Sequence, residues 1–155
     1  MSGYVIGVDP GNASMGVSLW TADGQFLGSQ TWNPWLVGAP ELYLGVAGSK
    51  PRIHVWVETP SYGTPVTREG IAFAGGMAVN QIVQRFGVKR RNVHKVKPGK
   101  WRRGVGMRTQ GKSREQLKAM ALRRVELLGI GPVGSDDEAE AVLIGLYGTK
   151  LRRRR

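Results

Sequence analysis

The sequence predicts an α/β fold in which helices flank a mixed five-stranded sheet. Three observations predict it: five short strand-like segments, helical apolar spacing in the second half of the chain, and a long connection between the third and fourth strands. The chain has 155 residues, of which 41% are hydrophobic, enough for one core. No repeat or linker divides it, so we expect one domain over residues 1–151 and a basic tail at 152–155.

Three short strands are predicted to open the chain as an antiparallel meander, because only tight turns separate them. These strands cover residues 4–8, 15–19 and 25–32. The stretch at 33–52 is rich in Gly and Pro and has room for at most one short helix, near 41–46.

The fourth predicted strand, residues 53–58, follows a connection long enough for a parallel crossover. If it pairs with the first strand, Asp9 and Glu58 lie side by side at one edge of the sheet. Open α/β sheets place their sites at such a switch point.

A long helix is predicted from Thr67 to Phe86, where apolar residues recur at helical spacing and Gly87 is a typical stop. A fifth short strand follows at 92–96. The glycine- and cation-rich segment after it, at 97–104, is predicted to be a flexible loop.

Two further helices are predicted to follow capping boxes, at Ser113 with Gln116 and at Ser135 with Glu138. The first of these helices is predicted to bury an apolar stripe that ends at Leu128.

The composition predicts a polyanionic partner. The net charge is +12, and it is polarised: residues 1–84 hold three cations and five acids, whereas residues 85–155 hold twenty cations and six acids. Nucleic acid is the commonest partner of so basic a chain. The absence of cysteine excludes disulfides and thiolate-held metals, and two histidines make a histidine metal site improbable. No membrane-spanning run or signal peptide is found, so we expect a cytoplasmic protein with no membrane partner.

Seven cations around the predicted basic loop are candidates for phosphate binding. A charge run is usually only a solvated surface, but here glycine and Trp101 interleave the cations, which suits contact with nucleic acid. The candidates are Lys97, Lys100, Arg102, Arg103, Arg108, Lys112 and Arg114.

Four acidic residues stand out because acids are scarce. Asp9 and Glu58 end strands, where they could also be a turn initiator and an ordinary edge carboxylate. Asp137 and Glu140 lie three residues apart on one face of the last helix, a face that continues into apolar residues. Acids that open a helix also favour its dipole, but Glu140 lies one turn further in.

Carboxylates gathered on a buried face repel each other unless a cation lies between them. With so little histidine and no cysteine, oxygen ligands would hold that cation, which favours Mg²⁺ or Mn²⁺. Four carboxylates around two such ions suit phosphodiester hydrolysis. The acids and the basic surface together predict a metal-dependent nuclease.

The sequence resembles the RuvC-type Holliday junction resolvases, which have an RNase H-like fold. The opening strand and turn, VIGVDPG at 5–11, and the fourth strand, VWVE at 55–58, resemble two acidic motifs of that family. The run DEAEAV at 137–142 resembles its final helix. GVG at 104–106 and REQL at 114–117 resemble its glycine loop and the helix start after it.

The resemblance implies an endonuclease that resolves four-way DNA junctions by paired nicks, acts as a homodimer and needs no small-molecule cofactor. It implies two Mg²⁺ ions, with Mn²⁺ as a substitute, held by Asp9, Glu58, Asp137 and Glu140. A phage member of the family is one possibility.

The chain departs from the family pattern at several positions. Glu140 stands where Asp is usual, Asp136 could take the place of Asp137, and Arg114 replaces a lysine. An aromatic residue helps to open the junction in relatives; Ser61 holds the aligned position here, and Tyr62 beside it is the candidate wedge.

Three other functions stay open at this point. The chain could be a nuclease of broader branched-DNA specificity, an RNA-processing nuclease of the YqgF type, or a non-catalytic nucleic-acid binder on the same fold.

Overall fold

A computed structural model describes residues 3–33, 51–61 and 63–153 of the chain. The strands of the described residues are β1 (Gly3–Asp9), β2 (Met15–Thr21), β3 (Phe26–Trp32), β4 (Arg52–Glu58) and β5 (Val93–Val96). The α-helices are α1 (Pro65–Phe86), α2 (Pro98–Gly104), α3 (Arg114–Leu127) and α4 (Asp136–Arg153). The short helix predicted near 41–46 lies outside the described residues.

The five strands form one mixed sheet in the order β3-β2-β1-β4-β5. The first three strands pair antiparallel, as the meander predicts, while β4 lies parallel to both β1 and β5. The register pairs Val8 with Val57, so the next residues, Asp9 and Glu58, end neighbouring strands at the same edge of the sheet. The predicted fold class is confirmed, and the structure meets the condition, left open by the sequence, that the first and fourth strands pair.

Helices cover both faces of the sheet, which explains why β1 is buried along its whole length. Ile6 and Val8 of β1 pack in one core cluster with Ala78 and Ile82 of α1. On the opposite face, Val5 belongs to a second cluster with side chains of α2, α3 and α4. No helix in the described part of the chain is long and apolar enough to cross a membrane.

Helix α1 begins two residues earlier than predicted and ends where predicted. Pro65 occupies its first turn, and Thr64 caps it by accepting a hydrogen bond from the Thr67 backbone N–H at 3.2 Å. Gly87 closes the helix with a φ of 64°, a left-handed conformation that glycine adopts without strain.

The segment predicted as a flexible basic loop is instead the seven-residue helix α2. Pro98 stands at the start of this helix, where its fixed φ suits the first turn. Trp101 and Arg102 then turn inward and are buried. Tertiary packing therefore stabilises a helix that is too short to form on its own propensity.

The two predicted capping boxes have different outcomes. At α3, Ser113 and Gln116 exchange both hydrogen bonds of the box. At α4, Ser135 accepts from the backbone of Glu138, but the Glu138 carboxylate accepts hydrogen bonds from the side chains of Ser29 and Thr31 on β3. That carboxylate therefore joins α4 to the sheet instead of completing a box.

Two boundaries differ from the predictions. Leu128, predicted to be buried, is 39% exposed because α3 ends at Leu127 and the chain leaves the core there. Helix α4 continues through Arg153, so the first two residues of the predicted basic tail are helical.

Helix α4 lies close to the sheet because glycines in the strands allow it. A Cβ atom on Gly16 would clash with the Asp137 carbonyl oxygen, and one on Gly7 would clash with the Ala141 carbonyl oxygen. Ser18 donates a hydrogen bond of 2.7 Å to the same Ala141 oxygen. These contacts place the first turns of α4 beside the end of β1, where Asp9 stands.

Candidate active site

The four predicted acidic residues line one cavity of about 340 Å³ at the edge of the sheet. Asp9 ends β1, Glu58 ends β4, and Asp137 and Glu140 occupy the first turns of α4. Asp9, Glu58 and Glu140 are buried, and Asp137 is partly exposed. Three elements that are distant in sequence thus bring four carboxyl groups together.

Asp9 lies at the centre of this negative charge. Burial raises its pKa well above the ordinary value, and the charges of Glu140, Glu58 and Asp137 raise it further. A hydrogen bond shared with Glu140 acts in the same direction. The ionised form of Asp9 is therefore disfavoured by burial first and by the neighbouring carboxylates second.

Helix α2 acts on Glu58 through a hydrogen bond from Trp101 and through the charge of Arg102. Burial and then the Glu140 charge raise the pKa of Glu58 to about 7, while a hydrogen bond from Trp101 and the charge of Arg102 oppose the shift. The Trp101 indole Nε1 donates to Glu58 Oε2 at 2.5 Å.

Arg102 enters the cavity as the direct partner of Glu140. Its Nη2 donates to Glu140 Oε1 at 2.6 Å, and the two side chains are only 5% and 8% exposed. Its guanidinium carbon lies 4.9 Å from the centre of the Trp101 ring. Arg102, which the sequence predicts to be a phosphate-binding cation near a flexible loop, is buried in the structure because α2 turns this residue toward the acids.

Lys118 of α3 distinguishes the two aspartates at the start of α4. It forms an ion pair with Asp136, lies 3.8 Å from Asp137, and its hydrogen bond lowers the pKa of Asp136. Asp137 lines the cavity, and burial raises its pKa. Ser14 lies 3.5 Å from the Asp137 carboxylate. The arrangement favours Asp137 as the member of the acidic group.

Lys118 is absent from the residues singled out in the sequence. It follows Arg114 by four residues on α3, so the two share a helix face, and both line the acidic cavity. Once α3 is known to line the cavity, the four-residue spacing from Arg114 indicates that Lys118 faces the cavity as well.

The remaining predicted phosphate-binding cations are all exposed, at the residue before α2, on α2, on α3 and in the segment between the two helices. They are Lys97, Lys100, Arg103, Arg108, Lys112 and Arg114. Tyr62, the candidate wedge, lies outside the described residues, and its neighbour Ser61 is exposed at the cavity.

The donor chemistry of the cavity fits a hard divalent cation. Carboxylate oxygens are the ligands that Mg²⁺ prefers. Burial, and after it the charge of neighbouring carboxylates, raises the pKa of Asp9 and of Glu58, and a bound cation would offset that neighbouring charge. As their side chains are oriented, no three His, Asp or Glu residues within 3–33, 51–61 and 63–153 are placed to share one ion. Arg102 already engages Glu140, and Lys118 lies beside Asp137.

Comparisons with known proteins support the fold. No family model matches the chain, and a search of curated proteins finds no match. The structure is similar to Thermus thermophilus RuvC, with a TM-score of 0.60 and 15% identity over 97% of this chain and 96% of that one. It is also similar to T. thermophilus RuvC in complex with a Holliday junction substrate, with a TM-score of 0.58 and 15% identity over 94% and 91% of the two chains. The chain therefore has the RNase H-like fold of RuvC.

Proposed function

We propose that this protein is a divalent-metal-dependent DNA endonuclease that resolves four-way junctions. The observation that carries the proposal is the meeting of four carboxyl groups from β1, β4 and α4 in one cavity. Exposed cations of α2 and α3 belong to the same side of the molecule as these acids, since both helices pack on the α4 face of the sheet. A protein of the same fold has been solved with a Holliday junction.

Asp9, Glu58, Asp137 and Glu140 are the residues that would hold two Mg²⁺ ions, with Mn²⁺ as a substitute. When bound, such ions supply an activated water and stabilise the leaving oxygen of a phosphodiester. Trp101 keeps the Glu58 carboxylate facing the cavity through its indole hydrogen bond. Pre-positioned carboxylates of this kind avoid reorganisation when the substrate arrives.

The cations bind and orient the DNA backbone. Arg114 and Lys118 line the cavity and would contact the phosphate nearest the acids. Lys97, Lys100, Arg103, Arg108 and Lys112 are exposed and would contact phosphates further away. Such contacts position a strand without reading its bases.

A homodimer is part of the proposal, because paired nicks across a two-fold symmetric junction need two active sites. The two cuts would then fall at symmetry-related positions on opposite strands.

Cleavage of a synthetic immobile four-way junction tests the proposal. We expect wild-type protein with Mg²⁺ to produce symmetric paired nicks. Asp9→Asn should abolish cleavage while junction binding survives, because the amide loses the negative charge at the centre of the acidic group. Asp23→Asn is the matched control, since Asp23 lies in the exposed turn between β2 and β3. Full Mg²⁺-dependent cleavage by the Asp9 variant would exclude the proposed function.

The same assay separates the other activities considered for this sequence. Equal cleavage of flaps and Y-forks would indicate a broader branched-DNA nuclease, and preference for structured RNA would indicate an RNA-processing enzyme. Salt-sensitive binding without any metal-dependent product would indicate a non-catalytic binder.

A further inference from the structure

We infer that Arg102 is a resident counter-cation of the acidic cavity, and that it competes with a divalent metal ion for Glu140. The inference rests on the proposed metal-dependent function and refines it. It predicts two metal sites of unequal affinity. The site that uses Glu140 as a ligand binds its ion more weakly, because the Arg102 guanidinium is bonded to that carboxylate.

The first support is the ion pair between Arg102 and Glu140. The 2.6 Å contact is made between two side chains that water hardly reaches. A buried charge of either sign is costly without its partner, so the pair forms whenever no other cation satisfies Glu140.

The second support is that packing fixes the position of Arg102. The preceding residue, Trp101, is completely buried in the core cluster that α3 and α4 share, and its indole donates to Glu58. Two consecutive residues of α2 therefore reach two different carboxylates. This arrangement differs from that of an exposed arginine that pairs with whichever acid is near.

The third support is that Glu140 belongs to the same group as Asp9 and Glu58. All three side chains line one cavity, in which carboxylate charges repel each other. A cation that neutralises Glu140 therefore relieves the whole cavity, and Arg102 and a metal ion can do so alternately.

The competition makes the two sites differ in affinity. An ion that relies on Asp9, Glu58 and Asp137 meets Lys118 at 3.8 Å from Asp137, a longer contact than the 2.6 Å buried pair between Arg102 and Glu140. An ion that uses Glu140 as a ligand must either displace Arg102 from the carboxylate or share the carboxylate with Arg102. Removal of the guanidinium is thus expected to tighten the weaker site by about tenfold or more, given the strength of charge interactions at this separation.

Titration of the full chain with MnCl₂ tests the inference by calorimetry, without any DNA. We expect wild-type protein to bind one ion tightly and one weakly. Arg102→Gln should tighten the weaker ion by about tenfold or more, and Mn²⁺ should raise its melting temperature by more than that of wild type. Arg102→Lys keeps the positive charge and should leave the second ion weak. Arg103→Gln is the matched control, since Arg103 is the exposed neighbour on the same helix.

Each outcome decides between the possibilities. Unchanged Mn²⁺ binding in Arg102→Gln, or equal tightening in Arg103→Gln, would overturn the inference while leaving the proposed function intact. If wild-type protein binds no Mn²⁺ at all, the proposed function itself fails. If Arg102→Gln unfolds in EDTA, added Mn²⁺ should refold it, because the metal then replaces the missing cation; failure to refold would overturn the inference.

Discussion

Glu58 shows how one carboxyl group is balanced between opposing neighbours. Burial and the Glu140 charge favour its protonated form, while the Trp101 indole and the Arg102 guanidinium favour its ionised form. Burial prevails, and the pKa rises from 4.5 to about 7. The folded protein therefore binds a proton at Glu58 more tightly than the unfolded chain does.

This difference predicts how stability depends on pH. Since the folded-state pKa is the higher one, the contribution of Glu58 is fully present below about pH 4.5 and is lost as pH rises through about 7. In EDTA, the free energy of unfolding should fall between pH 5 and pH 8 by on the order of 2 kcal/mol from this group. Urea unfolding at several pH values measures this decrease in the free energy of unfolding.

Two variants test the part of the pH dependence that Glu58 controls. Glu58→Gln should lose this part, while Glu69→Gln, an exposed residue of α1, should keep it. Glu58→Gln also removes a charge that raises the pKa of Asp9, so the variant reports on the coupled pair. An identical pH dependence in wild type and Glu58→Gln would contradict the prediction.

At the level of elements, the close approach of α4 to β1 and β2 decides where the acids meet. Gly16 has no side chain where the Asp137 carbonyl oxygen passes, so the start of α4 can lie directly over β2. The glycine thus acts on the active site through the position of a helix, although it offers no chemical group of its own.

Gly16→Ala should displace the first turn of α4 and with it Asp137. We expect a loss of about 1–3 kcal/mol in the free energy of unfolding, typical of overpacking, and a marked loss of junction cleavage. Gly28→Ala is the matched control, because a Cβ atom at this β3 position would meet no atom within 4 Å. Thermal unfolding and the nicking assay measure both effects; a Gly16→Ala protein as stable and active as Gly28→Ala would show that the close approach is unimportant.

For the molecule as a whole, charge is divided between a nearly neutral first half and a strongly basic second half. The basic half contains the exposed cations of α2, α3 and the segment between them. Two cations of α3, Arg114 and Lys118, line the acidic cavity. This division permits a cluster of acids to lie beside a surface that attracts DNA.

Salt dependence of DNA binding tests the role of that surface. Removing one cation that binds a phosphate lowers the slope of log affinity against log salt by about 1. The double variant Lys112→Gln with Arg114→Gln should therefore lower the slope by about 2 and weaken binding to a four-way junction. Fluorescence anisotropy in EDTA measures this without cleavage.

The matched control for this measurement is Arg85→Gln with Lys150→Gln, an exposed cation of α1 and an exposed cation near the end of α4. It removes the same net charge, so an equal change of slope in both double variants would show that only net charge matters.

Local patterns in the sequence were sufficient to predict the sheet and the four acids. Alternating strands, turn residues and a helix with acids three apart are features of adjacent residues, and they placed Asp9, Glu58, Asp137 and Glu140 on the elements where the structure has them. The length of the connection before β4 indicates a parallel crossover, and the structure shows that the parallel partner of β4 on this side is β1.

The tertiary structure alone decided what surrounds those acids. Arg102 and Glu140 are 38 residues apart, and no spacing rule links residues so distant in sequence. Helix α2 forms because Trp101 packs into the core, a contact that local glycine and cation content cannot indicate. Sequence by itself determined which elements carry the carboxylates, since short-range periodicity governs strands and helices; packing between elements brought the carboxylates together and determined which cations reach them.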